Sequence, residues 1–318
     1  MRCNLVDHTI KRGLYGARHK EGGVVMRMQN PAMLLALAGC ALTAGCATPA
    51  AKPAPFAETT WIEANHTSLR YELKGSGAST VVLLHEMQMT LESWDGILPA
   101  LLPGHRILRY DLRGFGLSEK IRGAVSYQDE VEDLHALLEE LHIQGPVTLI
   151  GGAVGGAVAL KYAATYPDQV RAVAVTSPAA YMKPQPERVA AIAGSADEPA
   201  RASVDRAMDA VYPPVLRTDP ARFARFRDIV LSTDPGSLVA TTRMIYSNGF
   251  ADVLPQIHCP TLVIATALFP RPVASFKELA DALPKGQFVV LQTGHFASLE
   301  SPELVAPVLL QFLKSAGG

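Results

Sequence analysis

The 318-residue chain lacks several features that define large classes of protein. Its four cysteines contain no C-x-x-C pair and no regular spacing (Cys3, Cys40, Cys46 and Cys259). This excludes a disulfide scaffold and a zinc ribbon. With 29 basic and 30 acidic residues the formal net charge is only -1, so the charge does not predict a nucleic-acid-binding surface. None of the nine histidines forms a pair at ligand spacing beside carboxylates, and we expect no metal site.

The composition is that of a globular protein. Hydrophobic residues make up 48% of the chain and charged residues 19%, which is too apolar and too weakly charged for disorder. The glycine-rich stretch 151–156 lacks the G-x-G-x-x-G spacing of a dinucleotide-binding loop, and we expect no cofactor. Length alone suggests two domains, but α/β architectures of this size are often one unit.

The first 46 residues have the pattern of an export leader. Residues 1–27 carry an excess of four positive charges, and the apolar stretch 32–46 follows. This stretch is shorter than the roughly 20 apolar residues of a transmembrane helix, so it predicts a secretory signal. Leu37-Ala-Gly-Cys40 and Thr43-Ala-Gly-Cys46 both resemble the cleavage box of bacterial lipoproteins. We therefore expect lipidation of Cys40 or Cys46, with a plain secretory signal as the alternative.

Domain boundaries follow from this leader. We predict a leader over residues 1–46 and an Ala- and Pro-rich tether over residues 47–58. Translation could start at Met26 or Met28, since residues 1–25 add nothing that a signal requires. The expected location is exported, anchored to a bacterial membrane and periplasmic or otherwise extracytoplasmic.

The remaining sequence alternates strands and helices. The predicted strands are Thr60–Ala64, Leu69–Leu73, Thr80–Leu84, Arg106–Asp111, Val147–Gly151, Val170–Thr176, Thr261–Thr266 and Gln287–Leu291. The predicted helices are Tyr127–Leu141, Val154–Tyr166, Ser275–Leu283 and Pro302–Lys314, with shorter runs at Val204–Ala210 and Ala221–Leu231. This order predicts an α/β fold with a mostly parallel, doubly wound sheet. We place the core at residues 59–177 and 256–318 and a helical cap at residues 178–255.

Four motifs carry a resemblance to a known family. They are Val81–His85 followed by Leu91–Trp94, the turn Tyr110–Ser118, the segment Gly151-Gly-Ala-Val-Gly155 and the segment Gly294-His295 to Pro302. In this order and spacing they resemble the capped α/β-hydrolase superfamily, whose nucleophile lies at the centre of G-x-S-x-G. The resemblance implies an eight-stranded sheet with a cap inserted between two late strands.

The same resemblance shows two missing catalytic groups. Ala153 stands at the nucleophile position, and Phe269 stands where the family places its acid. The other usual position for the acid, after the preceding strand, also has no carboxylate. Only His295 of the three remains, although the backbone N–H groups of Met87 and Val154 would still form the oxyanion site. Because a methyl group cannot attack a carbonyl, ordinary serine-hydrolase activity is not expected.

Glu86 is a further departure, since the family usually has glycine after the residue matching His85. A carboxyl at this place could form a dyad with His295 that activates water, or could select an amine on a ligand. Alternatively, it turns outward or bonds to the backbone of its own loop. Asp111 and Arg113 are expected to fix their turn.

Two functions therefore remain open from the sequence. In the first, the chain binds a small apolar or acyl-bearing molecule in the former active site. In the second, it is a hydrolase or lyase that uses His295, Glu86 and bound water. In both cases we expect an apolar lining from Met87, Met89, Trp94, Met182, Tyr212, Met244 and Phe269.

Overall fold

The sheet that organises the molecule has eight strands in the order β1-β2-β4-β3-β5-β6-β7-β8. The structure, a computed structural model, describes residues 60–194 and 208–317. The strands are β1 (Thr60–Ala64), β2 (Thr67–Lys74), β3 (Thr80–Leu84), β4 (Arg106–Tyr110), β5 (Val147–Gly152), β6 (Val170–Thr176), β7 (Thr261–Thr266) and β8 (Gly286–Leu291). Strands β3 to β8 run parallel, and only β2 runs against its neighbours β1 and β4.

The central strands are apolar because both faces of the sheet are covered. Every residue of β3, β5 and β7 is buried. Along β3, Val82 and Leu84 belong to the core cluster on one face, whereas Val81 and Leu83 belong to the cluster on the other. This division follows from the alternation of side chains along a strand. The predicted mostly parallel, doubly wound sheet is thus confirmed.

Helices connect the strands and cover both faces. They are α1 (Leu98–Leu101), α2 (Tyr127–Glu140), α3 (Ala153–Thr165), α4 (Pro186–Gly194), α5 (Pro220–Leu231), α6 (Pro235–Ser247), α7 (Val273–Asp281), α8 (Ala297–Glu300) and α9 (Pro302–Ser315). Helix α2 begins at a capping box, in which the Asp129 N–H donates to Ser126 Oγ and the Ser126 N–H donates to the Asp129 carboxylate.

Helices α4, α5 and α6 form the cap between β6 and β7, as the sequence predicts. Each of α5 and α6 starts with proline and has an aspartate, Asp219 or Asp234, that accepts first-turn N–H groups. The cap is joined to the core by an ion pair between Arg225 and Asp95 at 2.9 Å. A second contact is the hydrogen bond that Arg222 donates to the Glu300 carbonyl at 3.0 Å.

Some predicted features lie outside the described residues. These are the leader with Cys40 and Cys46, the tether and most of the Val204–Ala210 run. The structure adds the cap helices α4 and α6, which the sequence pattern does not predict. In residues 60–194 and 208–317 no helix has the length and apolarity needed to cross a membrane.

Candidate functional site at the carboxyl ends of the strands

The sharp turn from β5 into α3 places Ala153 at its tip. Ala153 has φ +41°, a left-handed conformation that is uncommon for a residue with a side chain. Glycines make the turn possible: a Cβ on Gly155 would lie 2.4 Å from the Leu84 carbonyl oxygen, and one on Gly151 would lie 2.5 Å from Gly155 backbone atoms. The backbone therefore has the shape of a nucleophile elbow, with a methyl group at its apex.

The backbone N–H groups of Val154 and Met87 are the two predicted donors of the oxyanion site. Val154 lies in the first turn of α3, where N–H groups have no partner within the helix and the helix dipole favours negative charge. Met87 lies in the turn after β3, and among the described residues no backbone group accepts a hydrogen bond from its N–H. Both N–H groups of the predicted donor pair are thus free of a backbone acceptor in the described part of the chain.

His295 lies in the loop after β8, and its ring stacks on Phe269. The ring centroids are 4.1 Å apart and the planes differ by 25°. Within the described structure His295 Nδ1 has no hydrogen-bond partner. Phe269, the residue predicted to stand at the acid position, offers this ring no hydrogen-bond acceptor.

The electrostatic surroundings keep His295 neutral. Burial lowers the pKa of His295 to about 4, and the positive charge of Arg271 acts in the same direction. A histidine with this pKa carries no charge near neutral pH, and it is a poor general base compared with one whose pKa lies near the working pH.

Glu86 is buried behind the elbow and makes no direct hydrogen bond to His295. Its Oε1 accepts a hydrogen bond from Ser298 Oγ at 3.1 Å, while Oε2 has no partner among the described residues. No hydrogen bond joins it to His295, so a direct Glu86–His295 dyad is not formed. The side chain also does not turn to solvent, because it is fully buried. Burial raises the pKa of Glu86 to about 7.

The reason for this orientation is the absence of a side chain at Gly152. A Cβ on Gly152 would lie 2.3 Å from Glu86 Oε1 and 2.5 Å from Cδ. Glu86 thus fills the volume that a side chain just before the apex would occupy. The glutamate at position 86 and the glycine at position 152 are therefore sterically coupled.

A second buried carboxyl, Glu300, was not identified from the sequence. Its Oε1 accepts a hydrogen bond from the Phe296 N–H at 2.9 Å, and Oε2 has no partner in the described part of the chain. Burial raises the pKa of Glu300 to about 8, and the charge of Glu86 acts in the same direction. Its position five residues after His295, in the same loop, was the available sequence signal.

Arg271 was also missed, although it follows Phe269 by two residues. Its guanidinium donates to the carbonyl oxygens of Pro178 at 2.7 Å and Ala180 at 2.9 Å. It also lies over the Tyr181 ring at 4.5 Å. Among the described residues no carboxylate forms an ion pair with it. Arg271 therefore holds the start of the cap to the loop after β7.

The other predicted residues have structural positions. Asp111 accepts hydrogen bonds from the Leu91 N–H at 2.7 Å and the Leu117 N–H at 2.9 Å, which fixes its turn. Arg113 bonds to Asp133. These contacts agree with the structural role expected for both residues.

The expected apolar lining is divided between three places. Met89 and Tyr212 pack in a cluster between cap and core that also contains Phe226 and Phe296. Met244 belongs to the main core, and Met87, Met182 and Phe269 pack against it. The prediction that Trp94 lines the site is wrong, because Trp94 is fully buried in the core on the other face of the sheet. No group of three or more His, Cys, Asp or Glu side chains in the described residues is arranged to hold a metal.

The strand order, the inserted helical cap and the left-handed elbow together define an α/β-hydrolase-fold protein. A family model described as alpha/beta hydrolase fold matches residues 79–235. The chain belongs to the α/β-hydrolase superfamily.

Individual relatives agree with this assignment and have hydrolase or related names. The chain is 27% identical over 276 residues to a putative non-heme chloroperoxidase of Synechocystis sp., covering 77% of this chain and 94% of that protein. It is 26% identical over 270 residues to a poly(3-hydroxyalkanoate) depolymerase of Ectopseudomonas oleovorans, covering 82% and 94%. The crystal structure of an enol-lactonase from Burkholderia xenovorans LB400 superposes with a TM-score of 0.74 at 26% identity, covering 80% of this chain and all of that one.

Proposed function

We propose that this protein binds a small apolar or acyl-bearing molecule in the former active site and does not perform serine-type acyl transfer. The observation that carries the proposal is Ala153 at the left-handed apex of the elbow. A methyl group cannot attack a carbonyl, and loss of the nucleophile typically costs about 10⁶ in turnover.

The stacking of Phe269 on His295 supports the same conclusion. A triad needs a base held in the correct tautomer by a third group. Here His295 has an aromatic ring where that group would be, and its pKa of about 4 leaves it neutral at physiological pH. Restoring only the nucleophile would therefore leave it without an oriented base.

The surviving features are those of a binding site. The N–H groups of Met87 and Val154 can hold a carbonyl oxygen, and the side chains of Met87 and Phe269 are apolar. Pockets that bind small molecules combine a largely apolar lining with a few directed polar groups. An ester, lactone or fatty acyl group matches this combination.

The alternative proposal is a hydrolase or lyase that uses His295, Glu86 and water. One observation favours it: Glu86 Oε2 is buried without a partner, and its pKa of about 7 suits proton transfer near neutral pH. The geometry is less favourable, since the described hydrogen bond of Glu86 goes to Ser298. We therefore place binding first.

We further propose that the chain is exported and held on a membrane through a lipid at Cys40 or Cys46. This location rests on the leader pattern in the sequence. A membrane-bound position would give the site access to apolar molecules.

Three measurements on the full chain test the proposal. The first is labelling with a fluorophosphonate probe, the second is hydrolysis of short p-nitrophenyl esters, and the third is binding of dansyl-undecanoic acid by fluorescence. We expect wild type to bind the dansyl acid without labelling or turnover. Ala153→Ser/Phe269→Asp, which supplies nucleophile and acid, should gain labelling, whereas Ala153→Ser alone should gain less.

The control variant in the ester assay is His295→Ala, which removes the imidazole from the site. Fluorophosphonate labelling of the native chain inside the cleft would refute the binding proposal. Ester turnover by wild type that disappears in both His295→Ala and Glu86→Gln would instead establish the alternative mechanism.

A further inference from the structure

Two exposed apolar side chains meet at one edge of the sheet. Trp61 on β1 is 50% exposed, and Leu117, in the turn after β4, is 57% exposed. The Trp61 indole Nε1–H donates to the Leu117 carbonyl oxygen at 3.1 Å. This bond fixes the two residues beside each other, and we call the surface that they form the Trp61 patch.

The exposure of Trp61 is unusual within this chain. The only other tryptophan in the sequence, Trp94, is fully buried. Because the Trp61 N–H is already bonded within the protein, its ring presents apolar surface outward. Tryptophan is enriched where proteins meet the membrane–water interface, because its ring has a large apolar body and a polar edge.

The position of the Trp61 patch along the chain indicates what covers it. Trp61 follows Cys46 by 15 residues, and Cys40 by 21. At about 3.3–3.6 Å per residue, even a fully extended connection from Cys46 would reach only about 50 Å. From Cys40 the limit is about 70–75 Å, and in both cases the connection from the lipid enters the described structure at this edge of the sheet.

The charges near the patch favour a bilayer surface without strong charge of one sign. Glu63 lies two residues after Trp61 on β1 and Glu119 two residues after Leu117, and both are exposed, as is Arg122 five residues after Leu117. Lys120 is half-buried, and its ammonium group donates to the Gly116 carbonyl at 2.6 Å. Two acidic and two basic groups cancel, which suits zwitterionic headgroups and does not predict an anionic partner.

The turn that carries Leu117 also contacts the cap. Four residues later the Ile121 N–H donates to Ser237 Oγ on α6 at 3.1 Å. A surface resting on Leu117 would thus place the cap close to the lipid phase, from which an apolar ligand would come.

We propose that the Trp61 patch docks on the bilayer that holds the lipid anchor of the chain. The inference depends on the proposed anchoring and adds a specific protein–lipid contact to it. Docking would give the anchored protein a fixed orientation on the membrane.

The two tryptophans make this contact measurable. The full chain is reconstituted in phosphatidylcholine vesicles, with and without lipids brominated high on the acyl chain. Quenching of tryptophan emission then reports Trp61, because Trp94 is buried. We expect a loss of roughly half of the emission, the share of one interfacial tryptophan of two.

Leu117→Asn tests the patch without removing the probe. We expect it to restore most of the quenched emission while the chain stays with the vesicles. The matched control is Val290→Asn on β8, which is 39% exposed at the opposite edge of the sheet. Seven strand spacings of about 4.8 Å separate the two edges, so this control should be quenched like wild type.

The other possible outcomes separate failure of the docking from failure of the anchor and from self-association. A chain retained on vesicles with unquenched Trp61 overturns docking but leaves the anchor intact. A chain released from vesicles refutes the anchor and, with it, the docking. Emission that instead changes with protein concentration in unbrominated vesicles would assign the Trp61 patch to self-association and also overturn the proposal. None of these results affects ligand binding, which is measured separately.

Discussion

The steric coupling of Glu86 and Gly152 leads to a quantitative prediction for Gly152→Ala. Gly152 has φ -102° and ψ 143°, an extended conformation that alanine adopts freely. Any cost must therefore come from the new methyl group, which would lie 2.3, 2.5 and 2.7 Å from Oε1, Cδ and Cγ of Glu86. Ordinary contacts between non-bonded carbons are about 3.5–4.0 Å, so Glu86 must move by about an ångström.

The magnitude follows from this displacement. Overpacking in a core costs about 1–3 kcal/mol, and losing the Ser298 hydrogen bond adds about 1 kcal/mol. In the Glu86→Gly background the obstacle is absent. There, Gly152→Ala should be neutral or should stabilise by up to about 1 kcal/mol, through the restricted unfolded chain. The coupling energy of the double-mutant cycle should thus be about 2 kcal/mol or more.

The assay is urea unfolding of wild type, both single variants and the double variant, followed by far-UV circular dichroism. Gly104→Ala is the control, since no atom lies within 4 Å of its Cβ position, and it should show no coupling to Glu86. Equal costs of Gly152→Ala in the two backgrounds would show that Glu86 does not occupy this volume.

Three further predictions concern the buried charges. Burial raises the pKa of Glu86 to about 7 in the folded protein, against an ordinary value of 4.5. Wild type should therefore lose stability relative to Glu86→Gln as the pH rises between these two values. Urea unfolding at about pH 5 and pH 8 should show this loss, and a stability difference that stays constant would contradict it. Arg271→Met should raise the pKa of His295, because one positive charge that lowers it is gone; an unchanged NMR titration of the His295 ring would refute this. Asp111→Ala should lower the free energy of unfolding by about 3 kcal/mol, because one buried and one part-buried amide and an arginine lose their acceptor. The exposed Asp281→Ala should change it by less than about 1 kcal/mol, and equal effects on thermal unfolding would count against that assignment.

The fold could be predicted closely because the buried strands are continuous apolar runs between turn residues. The bounds predicted for β3, β6 and β7 agree with the structure at both ends. Helix α6 was missed because it lies in a proline-rich segment that suggested irregular structure. Its proline occupies the first helical turn, where the missing N–H has no cost.

The site was only partly predictable. The places of Ala153 at the elbow and of Phe269 after β7 can be predicted from the motif positions, since backbone geometry fixes where the elbow and the strand ends lie. The direction of Glu86 does not follow, because it is decided by empty space beside Gly152, a residue 66 positions away. The stack of Phe269 on His295 likewise depends on two loops that meet only in the folded chain.

The left-handed backbone at Ala153 has a consequence for what a new side chain at this position could do. Such a conformation costs about 1–2 kcal/mol for a residue with a Cβ, yet it is maintained here without a reacting group. The tight approach of Gly155 to β3 enforces it whichever side chain stands at the tip. A hydroxyl introduced by Ala153→Ser would therefore stand at the tip of the turn without any rerouting of the main chain.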